Sequence, residues 1–334
     1  MTLTNFPNGV SSFGVPLVGG SLPPFGGNYY WCDYVNGSDG NEGTAENPFK
    51  TLAYAYTKTR DGRNDVIFIV GGATAASATA YTQRLTATLT WANNATHLIG
   101  LGAPTLYANR ARISHLTTAT TNINPLVNVT GSGCIFANFS LFQGVGQAAT
   151  AEQLWKDEGQ RNYYGRVAFG GMGATGGTTS GSNASSYCLY LSGGGERVFE
   201  DCVIGLDTTA RNAANASLKI AGAAARDTFR RCDFPMYATA ASPFFIDCNS
   251  ANSLNRKVTF DACRFINESD ISGSTPAAVI NNHANQNGYV ILTNCTAYGA
   301  THWTAAAATM VLIDSPTRAS MGTTGGFAVN ATIT

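Results

Sequence analysis

Val198-Phe199-Glu200-Asp201-Cys202-Val203-Ile204 is the first of four segments built alike. Thr228-Phe229-Arg230-Arg231-Cys232-Asp233-Phe234, Thr259-Phe260-Asp261-Ala262-Cys263-Arg264-Phe265 and Ile291-Leu292-Thr293-Asn294-Cys295-Thr296-Ala297 follow it. Their cysteines stand 30, 31 and 32 residues apart (232−202, 263−232, 295−263). A fixed period of that size marks one supersecondary unit stacked on copies of itself. A second apolar piece precedes each segment by about a dozen residues: Tyr187 to Leu191, Leu218 to Ile220, Phe244 to Ile246, and Val279-Ile280.

Short β-branched and aromatic runs divided by Gly, Asn, Ser and Asp leave no room for helices, and no 3.6-residue periodicity is sustained. The unit is too long for a hexapeptide coil and lacks leucine-rich signatures. The reading that fits is all-β: a right-handed parallel β-helix whose coils pair edge to edge at about 4.8 Å. Phe199, Phe229, Phe260 and Leu292 then form one inward column, and Cys202, Cys232, Cys263 and Cys295 another. Outside, Glu200, Arg230 and Asp261 share a column, and Asp233 lies beside Arg264. Alternating signs favour this register by about 0.2–1 kcal/mol per pair.

Outward from these repeats, Met310 to Ile313 with Phe327 to Ile333 make the last coil. Upstream, Ile123 to Val129 with Cys134 to Leu141 and Asp65 to Gly102 supply earlier coils, with Phe139 in the column the cysteines later occupy. His97 reads as structural. From about 144 to 186 the period breaks, and 63 residues separate Phe139 from Cys202 (202−139). The expectation is a long excursion replacing one coil, with Trp155, Tyr163 and Tyr164 as a contact surface. Residues 1–30 are Pro/Gly-punctuated yet carry Phe6, Pro7, Phe13, Val15 and Pro16. They read as an extended arm, either docking on a partner or neighbouring subunit or covering the first coil; the β-helix domain then spans 31–334.

Asn47 with Pro48 predicts a short helix start, with Phe49, Leu52, Ala53 and Tyr56 on one face, plugging the open end of the stack. The order Gly37-Ser38-Asp39, Gly43-Thr44, Pro48-Phe49-Lys50-Thr51-Leu52 resembles the N-terminal region of pectin-lyase-like β-helix proteins, where it precedes the capping helix. Asp33, Asp39 and Glu42 offer cation ligands, though turn and cap chemistry is the preferred account of them.

The chain has 334 residues, no net charge and only 12% charged residues. That balance offers no footprint for nucleic acid or an anionic membrane. The eight cysteines lack metal spacing and read as free buried thiols, consistent with synthesis in a reducing cytoplasm. No signal peptide, cofactor motif or metal set is expected. Hydrolases on such a scaffold need two carboxylates facing one sugar, and no column carries two adjacent acids; Asp247, Glu268 and Asp270 are unpaired in the sequence. His115, His283 and His302 are scattered. Catalysis is therefore not expected.

Met1-Thr2-Leu3-Thr4-Asn5-Phe6-Pro7-Asn8-Gly9-Val10 with Ser12-Phe13-Gly14-Val15-Pro16 resembles the opening of tailed-bacteriophage virion proteins. The resemblance implies a structural protein on the particle surface, made in the host cytoplasm. A capsid decoration (cement) protein, a homotrimer held on the major capsid protein or another virion protein by its arm, is the leading expectation. A tail spike or adhesin that binds or cleaves host surface glycan is the alternative, and a bacterial polysaccharide-active enzyme comes third.

Overall fold

The computed structural model describes residues 10–12, 15–17, 27–72, 81–107, 109–115, 123–143, 153–172, 183–268, 274–305 and 311–313. Three parallel sheets wrap one core. The first runs from Tyr29–Cys32 to Val311–Ile313 through ten strands; the second has nine, from Thr82–Leu85 to Thr296–Tyr298; the third has eight, from Leu89–Trp91 to His302–Thr304. Each passage from first to second to third sheet is one rung. Eight rungs at about 4.8 Å stack to roughly 38 Å.

The repeat follows from its corners. From the third rung on, two residues join the first sheet to the second, as at Asp201-Cys202 between Val198–Glu200 and Val203–Ile204. The first corner residue lies in the left-handed region in every such rung: Asn138, Arg166, Asp201, Arg231, Ala262 and Asn294 have φ between 51° and 59°. The second points inward, giving the column Phe139, Val167, Cys202, Cys232, Cys263, Cys295; Phe139 holds the position read from the sequence. Backbone bonds repeat at this corner, as in Val203 N to Val167 O (3.0 Å) and Asp233 N to Cys202 O (2.9 Å).

Phe199, Phe229 and Phe260 are in register and fully buried. Their rings stack at 4.5 and 4.7 Å, and Tyr164 continues the stack 4.5 Å from Phe199. Each ladder thiol points at backbone: Cys232 Sγ donates to Phe199 O at 3.5 Å and Arg230 O at 3.4 Å. All eight cysteines are free thiols; seven are buried and Cys295 is part-exposed. Outside, Arg231 pairs with Asp201 at 2.7 Å and Arg264 with Asp233 at 2.6 Å.

Three expectations are corrected. The break at 144–186 is not an excursion from the stack. Gln153–Asp157, Tyr163–Gly165 and Ala168–Met172 each pair on both sides, adding regular strands to the third, first and second sheets. The 63-residue gap is two rungs, of 28 and 35 residues (167−139, 202−167), disguised by long connections and by Val167 where later rungs carry Cys.

The capping helix is Leu52–Tyr56, and its cap is Thr51, not Asn47. Phe49 lies before the helix and bridges Cys32. Leu52 and Ala55 are the buried helix residues, while Ala53 faces out. Asp39 accepts the Lys50 and Thr51 N–H groups at 3.0 and 2.9 Å, and Asp33 those of Val35 and Asn36. These carboxylates are spent on turns and caps.

The arm is not simply extended. Val10–Ser12 pairs antiparallel with Val15–Leu17, placing Val15 and Pro16 in a hairpin. Tyr29 and Tyr30 already belong to the first sheet. Phe6, Pro7 and Phe13 lie outside the described residues.

A buried polar cluster sits where the third sheet turns into the first. Arg197 is fully buried; its Nη1 lies 3.1 Å from Asp227 and its Nε 3.3 Å from Asp157. Its Nη2 donates to the carbonyls of Asp157 (3.0 Å) and Gly193 (2.6 Å). Tyr164 donates its hydroxyl proton to Asp157. Gly194 lets the turn close over the guanidinium: a Cβ there would lie 2.6 Å from Nη2. Burial pushes Asp227 up to about 6, with Arg197 opposing and Asp157 adding to the rise.

Candidate functional site on the third sheet

Strand alternation sorts the third sheet into two faces. Leu189, Leu218, Ile246 and Ile280 point into the core. The residues after them point outward, in register across six rungs: Asn128, Lys156, Tyr190, Lys219, Asp247, Asn281. Four of the connections that lead from the second sheet into the third are nine residues or longer in sequence: 116–126, 144–152, 173–186 and 268–277. Loops on a rigid scaffold are where binding residues concentrate.

The column is polar, aromatic and half-sheltered. The Lys219 ammonium donates to Asp247 Oδ2 at 2.7 Å, the two side chains being 13% and 9% exposed. Asp247 Oδ1 also accepts from Asn249 N–H at 2.9 Å and Asn281 Nδ2 at 3.2 Å. Lys219 lies 5.6 Å from the ring centre of Tyr187, and Lys156 the same distance from that of Tyr190. The two rings are 5.9 Å apart. Lys156 pairs with Glu158 at 2.8 Å. Burial, then the charge of Asp247, pushes the Tyr187 phenol up to about 12.

Chemically this arrangement offers hydrogen-bonding groups and aromatic faces in one column. Asp247 has its oxygens occupied by an ammonium, an amide and a backbone N–H. Among the described residues, the other acid on this face, Glu158, stands three rungs away, about 14 Å along the axis. Paired glycosidase carboxylates are about 5–9.5 Å apart. Rings, amides and a paired lysine–aspartate do suit sugar hydroxyls and sugar faces.

The residues expected from sequence fall elsewhere. Trp155 and Tyr164 are fully buried in the core, Trp155 Nε1 donating to the Tyr164 hydroxyl at 3.1 Å. Strand alternation turns Lys156, the neighbour of Trp155, outward instead. Tyr163 points outward from the first sheet and donates to Glu200 at 3.0 Å, so the three never share a surface. Asp247 was visible as a stray acid, but its partners Lys219 and Asn281 are 28 and 34 residues away. Glu268 caps a strand end with its N–H on Met236 O; Asp270 lies outside the described residues. His97, buried and pushed down to about 4 by that burial, accepts Ile135 N–H at Nδ1 and is structural.

No protein-family model matches the chain, and no curated protein matches it in sequence. Solved structures do match its shape. A rhamnogalacturonan lyase superposes with TM-score 0.54 at 14% identity, over 81% of this chain and 68% of that one. Pectate lyase Pel9A gives 0.55 at 15%, over 86% and 69%. A protein of Geobacillus virus E2, ORF18, gives 0.51 at 14%, over 76% of this chain and 46% of the viral one. The fold is a pectin-lyase-like right-handed parallel β-helix. Identities this low speak to fold alone.

Proposed function

We propose that this chain is a surface protein of a tailed-phage particle that binds host-cell polysaccharide along the outward face of its third sheet. The observation that carries the reading is the in-register column Lys156, Tyr190, Lys219, Asp247, Asn281 with Tyr187 beside it. A straight sheet repeats its outward positions every ~4.8 Å, so an extended polymer meets a polar group or ring at each step. The enzymes named above act on polysaccharides by their titles, and a phage protein shares the fold. Among the described residues this face brings no two carboxylates close together, which favours binding without cleavage.

The test is binding of purified protein to host surface polysaccharides, with the polymer's viscosity followed in parallel. Tyr190→Ala and Lys219→Met are expected to weaken binding at least tenfold, with viscosity unchanged throughout. Unaltered binding in both variants ends this reading. A second reading, capsid decoration through residues 1–30 in a homotrimer, is favoured by the hairpin Val10–Leu17. There, full-length protein sediments with capsids lacking it and a chain without residues 1–26 does not.

A further inference from the structure

The third-sheet face carries charged groups that cancel one another. Lys156 and Lys219 are the only Lys or Arg in the eight strands described for that sheet. Each ammonium sits on a carboxylate of the same face, Lys219 at 2.7 Å from Asp247 and Lys156 at 2.8 Å from Glu158. The eight connections that enter this sheet from the second contain Glu152, Glu268 and Asp270 but no Lys or Arg. Arg211 precedes one of them, yet it is buried, and Asn215 Oδ1, Ser217 Oγ and Phe244 O accept from its three nitrogens at 2.8, 2.8 and 3.3 Å. Exposed arginines lie instead on and around the first sheet, as Arg161, Arg226, Arg230 and Arg231 do.

That balance discriminates between glycans. A uronate or phosphate group placed against Lys219 stands close to the Asp247 carboxylate as well, so attraction and repulsion of similar size nearly cancel. Pulling the pair apart strands a sheltered carboxylate without its cation, which is costly. A sugar hydroxyl meets neither penalty, because it accepts from the ammonium and donates to the carboxylate. The apolar C–H face of a pyranose can lie on Tyr187 or Tyr190, whose rings are 5.9 Å apart.

We propose that the ligand of this face is an uncharged polysaccharide, without uronate, sulfate or phosphate groups, and that the pairs Lys219–Asp247 and Lys156–Glu158 exclude acidic polymers. This rests on polysaccharide binding along the third sheet and adds the chemical class of the polymer.

Host surface polysaccharide, separated on an anion exchanger into uncharged and anionic pools, is titrated with full-length protein at pH 7.5 in low and high salt. Binding confined to the uncharged pool and unchanged by salt is expected. Asp247→Asn frees Lys219 while keeping the side chain's size. It should raise affinity for the anionic pool at least tenfold and make that binding salt-sensitive. Glu158→Gln does the same for Lys156 at a more open position, the carboxylate side chain being 34% exposed against 9% at Asp247. It decides the matter if Asp247→Asn fails to fold. Equal or tighter wild-type binding of the anionic pool, or an anionic affinity that neither variant raises, overturns the proposal. Polysaccharide binding on the third sheet survives that outcome if Tyr190→Ala still weakens it. Absence of binding to both pools ends that reading and this one together.

Discussion

Asp227 and Arg197 show how single residues set conditions on this fold. Asp157, Asp227 and Arg197 bury two acids around one base. Burial pushes the Asp227 carboxyl up to about 6, against about 3.9 for an ordinary aspartate. Between those values the folded state holds more protons than the unfolded chain, so this group's contribution to stability falls as pH rises, then stays flat above about 6. Wild type should therefore lose up to about 3 kcal/mol relative to Asp227→Asn between pH 4 and pH 6.5, read from urea midpoints of both proteins. A pH-independent difference would rule this out. The comparison must be made as a difference, because His97, pushed down to about 4, gives an opposite slope as pH falls below about 6.5. In the core, Phe229 lies between Phe199 and Phe260, so Phe229→Ala should cost about 3–5 kcal/mol in denaturant unfolding.

At the scale of the element, the two-residue corner does the most organising. Its first position is left-handed in six successive rungs, and Ala262, with φ 52°, is the residue there least suited to it. Left-handed backbone costs an ordinary residue about 1–2 kcal/mol, and Asn less. Ala262→Asn should raise the denaturation midpoint by the equivalent of about 0.5–1 kcal/mol, with an unchanged denaturant slope; a lower midpoint would show that the corner is not strained at this residue. The corner also explains the cysteines. Its second position meets backbone carbonyls of its own and the preceding rung, as Cys263 Sγ does with Asp261 O and Phe229 O, both at 3.6 Å. A small apolar group with a weak donor fits that niche.

For the whole molecule, the described thiols give a direct check on the stack. Burial pushes Cys134 up to about 11 and Cys248 up to about 12, and the thiolate is the reactive form. In native protein an aromatic disulfide reagent should modify at most Cys295, and all eight after denaturation. Reductant should leave the melting temperature unchanged. Rapid native labelling of several thiols would contradict the packed stack.

The sequence by itself determined the repeat, the inward Phe and Cys columns, the outward charge ladders and the all-β solenoid, because each depends on spacing within one rung. Tertiary structure alone decided what depends on register between rungs. Trp155 and Tyr164 read as surface residues until the 63-residue gap resolved into two rungs and alternation turned them inward. Lys219, Asp247 and Asn281 are ordinary residues about thirty positions apart until parallel pairing sets them side by side. The cap moved from Asn47 to Thr51 because Phe49 was claimed by the bridge to Cys32, a contact that local propensity does not encode. Period survives in one dimension; the meeting of faces is fixed only when the chain is wound.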